Sequence, residues 1–144
     1  MSLPIEERFS HALHNTARAW RIALDRRMKD LGLSQASWMA IATVAKAAPM
    51  SQTELAAKLG VEDPTMVAMI DRLVKGDYML RIPSETDRRV KLVHLTDGGR
   101  AIYAQLRAVA EPFRHDVLKG VDRAQLKALA ELLEALQTTI EQQP

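Results

Sequence analysis

Ser51-Gln52-Thr53-Glu54-Leu55-Ala56, then Val61-Glu62-Asp63-Pro64-Thr65-Met66-Val67, then Asp71-Arg72-Leu73-Val74, is the stretch that decides how this chain folds. Ser51 and Glu54 have the spacing of a capping box, which satisfies two orphan N–H groups at a helix start. Leu55 and Leu59 follow on one face, and Gly60 is a natural stop. Asp63 reads as the next N-cap, with Pro64 where a missing N–H costs nothing. Val67, Ile70, Leu73 and Val74 then recur at helical spacing, opposite Thr65, Ala68, Met69, Arg72 and Lys75. Two short helices joined across Gly60–Asp63 predict a helix-turn-helix, whose second helix reads a major groove with its N-terminal residues. The helix pattern taken alone also fits two core helices of a small α protein.

The segment that follows separates these readings. Tyr78–Ile82 and Val90–Leu95 both look like strands, the second with apolar Val90, Leu92 and Leu95 and with Lys91 and His94 between them. Pro83, Ser84, Glu85, Thr86 and Asp87 form a polar tip with turn chemistry. Arg88, Arg89 and Lys91 stand at the hairpin's base, placed for phosphate contact or minor-groove entry. A solvated surface hairpin has the same pattern. Asp87 is close enough in sequence to pair with one arginine and hold the hairpin's shape, leaving the other for DNA.

Composition narrows the rest. A chain of 144 residues, 47% hydrophobic, makes one domain or one domain with helical extensions. With no cysteine, disulfides, thiolate metal sites and cysteine redox sensing are excluded. No apolar run approaches the ~20 residues that span a bilayer, and residues 1–8 carry Glu6 and Glu7 without an apolar signal region. A soluble, cytoplasmic protein is the expectation. The pI of about 9.1 overstates the basic character of the reader. Residues 51–95 hold seven basic and seven acidic side chains, and only 81–91 is locally basic. If DNA is the ligand, placement of charge matters more than its amount.

Long helices flank the reader. Ile5, Phe9, Leu13, Trp20, Leu24, Met28 and Leu31 make one amphipathic stripe over residues 4–31. Ser34 caps a helix carrying Trp38, Ile41, Ala42 and Ala45, which Pro49 ends. Thr96-Asp97 caps a third long helix with Ile102, Leu106, Val109 and Phe113, in which Pro112 predicts a kink. Gly120 breaks it, and Asp122 with Gln125 makes a further capping box before Leu126, Leu129, Leu133, Leu136 and Ile140. This is more apolar surface than a reader of this size covers. A second copy is the economical partner, giving a two-fold homodimer on half-sites about 34–36 Å apart. The first and last helices packing only on each other is the other solution.

Taken together, the fold class is mainly α with a small β-wing. A winged helix-turn-helix lobe spans 34–96, and residues 1–33 and 97–144 form a helical dimerisation region. In order and spacing these residues resemble the MarR family of bacterial regulators, close to its SlyA-like branch. The resemblance covers nearly the whole chain. It is carried by Arg18-Ala19-Trp20-Arg21, Asp25-Arg26-Arg27, Leu33-Ser34-Gln35 leading to Trp38, Ser51–Ala56, Pro64–Val67, Asp71-Arg72-Leu73, Asp87-Arg88-Arg89 and Leu95-Thr96. It implies a triangular dimer with a winged-helix lobe on each subunit, repression or activation of nearby genes, and release of DNA on binding a small aromatic acid or phenolic compound. Two departures stand out. Ala68 occupies a place where similar members often carry Arg, removing a bidentate guanine contact worth ~1–3 kcal/mol of discrimination. Asp77 stands where the family usually places Gly, at a helix end that needs a left-handed residue, so the turn into the wing is expected to be shifted or less stable.

The candidate site follows. Pro64, Thr65, Met66, Ala68, Met69 and Arg72 are expected to face the groove; Thr65 offers a hydroxyl, and Met66 or Met69 a thymine-methyl contact. Arg72 fits an ion pair with an acidic neighbour equally well. Gln52 and Thr53 suit phosphate contact at a helix N-terminus, and Ser84, Arg88, Arg89 and Lys91 belong to the wing. From the resemblance, an effector pocket lies between the first two helices and the long helix after the wing, with Arg18, Trp20, Trp38 and Met39 as candidates, though both tryptophans also suit plain core packing. Glu7, His11 and His14 share a helix face at i, i+4 and i+7, a spacing that can hold zinc, but no fourth ligand is evident and no metal or cofactor is assigned. Gly98-Gly99 lacks the rest of a nucleotide fingerprint, and no catalytic constellation stands out, so an enzyme reading has nothing to rest on. The partners expected are double-stranded DNA, a second copy and a small aromatic acid, with no membrane. The alternative is a winged-helix adaptor module with only weak, sequence-blind DNA binding, motivated by Ala68, Asp77 and the neutral reader.

Overall fold

The computed structural model describes residues 2–47 and 49–144. Helix α1 (Ile5–Met28) runs into a 3-10 turn (Lys29–Leu31) and is followed by α2 (Gln35–Lys46). A two-residue strand β1 (Met50–Ser51) leads directly into α3 (Gln52–Leu59), α4 (Asp63–Lys75), β2 (Met79–Pro83), β3 (Lys91–Leu95), α5 (Asp97–Leu118) and α6 (Arg123–Glu141). The sheet is antiparallel in the order β1-β3-β2. Val93 sits opposite Met50 on one side and Arg81 on the other, and Met79 pairs with Leu95. The long helices, the helix-turn-helix and the hairpin stand where the sequence placed them; β1 is an addition.

The caps explain the boundaries. Ser34 Oγ accepts from the Ser37 amide at 3.2 Å, Ser51 Oγ from the Glu54 amide at 3.1 Å and Asp122 Oδ2 from the Gln125 amide at 3.0 Å. Thr96 Oγ1 accepts from the Gly99 amide at 3.0 Å and donates to the Asp77 carbonyl at 2.6 Å, tying the start of α5 to the end of α4. Gly60 closes α3 in the left-handed conformation, φ 68°, with the Val61 amide reaching back to the Ala56 carbonyl. One cap differs from expectation. The N-cap of α4 is Glu62, with no side-chain bond, and Asp63 is already helical. With Pro64 in the first turn and donating nothing, the helix gains its start from fixed φ and from the carboxylate of Asp63 near the dipole's positive end.

The chain divides into two compact units, Met1–Glu111 and Pro112–Pro144. In the first, Met28, Ile41, Leu55, Met66, Ile70, Met79 and Val93 are essentially fully buried, so α1, α2, α3, α4, β2 and β3 each give a side chain to one core. Each such burial is worth roughly 1.5–3 kcal/mol against exposure. On β3 the inward residues are Val93 and Leu95, while Val90 precedes the strand and is exposed. In the second unit α6 keeps Leu126, Leu133 and Leu136 half-buried and leaves Leu129, Leu132 and Ile140 exposed. Helix α5 continues through Pro112 to Leu118, and the two units divide at that proline.

Candidate nucleic-acid interface

Helix α4 is held by one stripe and offers another. Met66, Met69, Ile70 and Leu73 are buried, spaced i, i+3, i+4 and i+7. Pro64, Thr65, Val67, Ala68, Asp71, Arg72 and Lys75 are exposed. This corrects the sequence assignment at three residues. Met66 at 0% and Met69 at 3% exposure are core side chains that reach no groove, and Val67, expected inside, is outside. A helix this rich in apolar residues fits two stripes, and packing against α2 and α3 selects the one with the longer, more flexible methionines. Pro64, Thr65, Ala68 and Arg72 stay on the outward face.

The turn after α4 is unshifted by Asp77. Asp77 adopts φ 65°, its amide donates to Val74 and the Tyr78 amide to Leu73, which completes a Schellman turn with Asp in the glycine position. The following chain is pressed against α5. A Cβ on Gly99 would come 2.1 Å from the Tyr78 carbonyl oxygen, so this pair of glycines permits close approach of backbones rather than nucleotide binding.

Arg81, on β2, joins three elements. Its Nε donates to Gln52 Oε1 at 2.6 Å, and its Nη2 donates to Asp71 Oδ1 at 2.6 Å and, more weakly, to the Val67 carbonyl at 3.4 Å. The wing strand, the recognition helix and the start of α3 therefore meet at one guanidinium. Gln52, expected at a phosphate, has its amide oxygen in this network; Thr53 beside it is exposed in the first turn of α3. Nothing in the sequence pointed to Arg81, because its partners lie ten and 29 residues away.

The wing tip is built from its own side chains. Ser84 Oγ accepts from the Thr86 amide at 3.3 Å and shares a hydrogen bond with the Thr86 hydroxyl, so it shapes the loop. Asp87 takes Arg89 in a fork, Nε on Oδ1 at 3.1 Å and Nη2 on Oδ2 at 3.2 Å, and also accepts from the Arg89 amide. The Arg89 side-chain and backbone bonds hold the Asp87 carboxyl below its ordinary value. Arg88 is exposed and has no ion pair among the described residues, and the same is true of Arg72, Lys75 and Lys91. The reader is neutral by count, but Asp71 and Asp87 are engaged by Arg81 and Arg89. Those four cations on α4 and the wing are left without an ion-pair partner among the described residues.

The effector candidates are scattered in their roles. Trp38 is buried and its indole N–H donates to Asp25 Oδ1 at 3.0 Å, a core role. Arg18 is exposed and bonds Asn15 on its own helix, and Trp20 is half-buried. Met39 lines a cleft of about 140 Å³ with Arg21, Gln35 and Val61. A larger cleft, about 260 Å³, lies among Val44, Pro49, Val93, His94, Arg100 and Tyr103, none of which the sequence had singled out for a ligand. Glu7, His11 and His14 are exposed along α1, and no group of three metal-ligating side chains is assembled among the described residues. No helix among them is long and apolar enough to cross a membrane.

Comparison with known proteins agrees with this geometry. The MarR family model matches residues 33–91. The transcriptional regulator PA3341 is 35% identical, with 94% of this chain and 99% of that one covered and a TM-score of 0.87. The chain belongs to the MarR family. Apo MarR from E. coli is 25% identical over 94% of this chain and 98% of its own, TM-score 0.76. A cysteine-to-serine mutant of E. coli MarR, solved in complex with operator DNA, is 25% identical over 94% and 99%, TM-score 0.76. As a MarR-family member the protein is a DNA-binding transcriptional regulator and not an enzyme.

Proposed function

We propose that this MarR-family protein is a cytoplasmic, dimeric repressor that binds a pseudo-palindromic operator and releases it when a small aromatic acid binds. The observation that carries the reading is the outward face of α4 beside the wing, where Arg72, Lys75, Arg88 and Lys91 stand free while the neighbouring carboxylates of Asp71 and Asp87 are paired. Free cations on a preformed helix and hairpin are what phosphate contact requires. Thr65 and Ala68 then meet base edges, and Thr53 suits a phosphate. The E. coli MarR mutant bound to operator DNA supports the same use of the fold.

Two copies are proposed because each unit leaves apolar side chains uncovered: Ile5, Phe9, Leu13 and Ile22 on α1 in the first, Leu129, Leu132 and Ile140 on α6 in the second. For the effector, the cleft beside Arg100 and Tyr103 offers an aromatic wall and a cation. That cation already pairs with Asp97, so a carboxylate would have to share it. Kinship with the SlyA-like branch rests on the residue motifs; the SlyA structure, 18% identical, shares the fold.

Selection of bound duplexes from a random library at near-physiological salt tests the reading. The expected product is an inverted repeat with half-sites about one helical turn apart. A folded protein that enriches no sequence, and binds every duplex alike, would favour the adaptor alternative. Of the two departures that motivate that alternative, Asp77 does not displace the turn, which leaves Ala68.

A further inference from the structure

We infer that this protein reads its operator through thymine 5-methyl groups, with Ala68 and the Thr65 methyl as the contact surface. The inference rests on the DNA-reading role proposed above and specifies its chemistry. The first two turns of α4 expose Pro64, Thr65, Val67 and Ala68, and the exposed cations Arg72 and Lys75 come only later. The exposed residues form two stripes at helical spacing. One, Pro64–Val67–Asp71, is turned to the wing strand, because Arg81 bonds both the Val67 carbonyl and the Asp71 carboxylate. The other, Thr65–Ala68–Arg72, is free of the wing.

The N-terminal part of a recognition helix is what reaches base edges. At that height this chain presents one hydroxyl and a run of methyl and methylene groups, without an amide or guanidinium. Arg81 cannot substitute, since its guanidinium is committed to Gln52, Asp71 and Val67. In the major groove thymine alone carries a methyl, and Ala and the Thr methyl are its natural partners. Alanine has no reach, so contact requires the backbone of α4 to lie close to the base, and the small outward residue at 68 permits that approach. Arg72, one turn further and unpaired, is left for a phosphate or a flanking base.

The test uses the intact protein and the duplex it selects. Each thymine of the half-site is replaced in turn by deoxyuracil, which keeps the hydrogen-bonding edge and removes only the methyl. Affinity should fall about fourfold at one or two adjacent positions, the worth of one buried methyl. Thr65→Ser, which keeps the hydroxyl and the fold, should abolish the difference between thymine and uracil at its position. Ala68→Arg should move the selected base there towards guanine. A specific site in which uracil is tolerated at every position overturns the methyl reading and leaves the DNA-reading role intact. Failure of a folded protein to select any sequence overturns both.

Discussion

The recognition helix and the wing reach the same surface by opposite means. Helix α4 owes its shape to buried apolar side chains, Met66, Met69, Ile70 and Leu73, so its outward polar residues are free to serve a ligand. The wing tip has little core beneath it. Its shape depends on polar side chains, Ser84 on Thr86 and Asp87 on Arg89, so part of its charge is used internally. Where packing supplies the shape, an exposed residue can be read as a contact. Where polar side chains supply it, half of an arginine pair is scaffold.

The comparison breaks most easily on α4. Met66→Ala should cost about 2–5 kcal/mol of stability, as for a fully buried large-to-small change, whereas Thr65→Ala, one residue away, should stay within about 0.5 kcal/mol. Denaturant unfolding of the two variants separates core from contact; equal small effects would return Met66 to the groove. Gly99→Ala comes next. Its Cβ has no room beside the Tyr78 carbonyl, and a loss of about 1–3 kcal/mol is expected from the forced shift, read as a lowered Tm.

Asp77→Gly should act in the other direction. The residue sits at φ 65°, where an L side chain is strained, and removing it should gain about 0.5–1 kcal/mol, offset in part by glycine's freedom in the unfolded chain. A fall in Tm would mean that the Asp77 side chain contributes something beyond its backbone bonds. The smallest effect belongs to pH. Asp87 has a lowered folded value, so its contribution to the wing is complete above the ordinary carboxylate value of 3.8 and is lost as pH falls through the lowered one. Wing amide exchange should therefore be unchanged by this group from pH 8 to 5 and should quicken only in stronger acid. Loosening at pH 6 would rule Asp87 out as the cause.

Much of this fold was legible in the sequence because its boundaries are local. Ser34, Ser51, Thr96 and Asp122 each cap through a bond to a residue three positions on, and Gly60 closes α3 by its own conformation. The candidate site was legible only where exposure followed from local pattern, as at Thr65, Ala68, Arg72 and Arg88. Met66 and Met69 were misplaced because Met66, Val67, Met69, Ile70, Leu73 and Val74 are all apolar, and only tertiary packing chooses between the stripes they offer. The Arg81 network and the two-residue β1 were illegible because each depends on a partner far along the chain. The sequence also left open which wing arginine pairs with Asp87; the fork on Arg89 decides it.

The division of labour in the wing is therefore the claim to test. Salt dependence of operator affinity, measured side by side for the parent protein, Arg88→Ala and Arg89→Ala, tests it most directly. Arg88→Ala should reduce the slope of log K against log salt by about 0.9, the signature of one lost phosphate contact. Arg89→Ala should leave that slope nearly unchanged while lowering affinity through a loosened tip. Equal slope losses in the two variants, or no change on removing Arg88, would contradict the account.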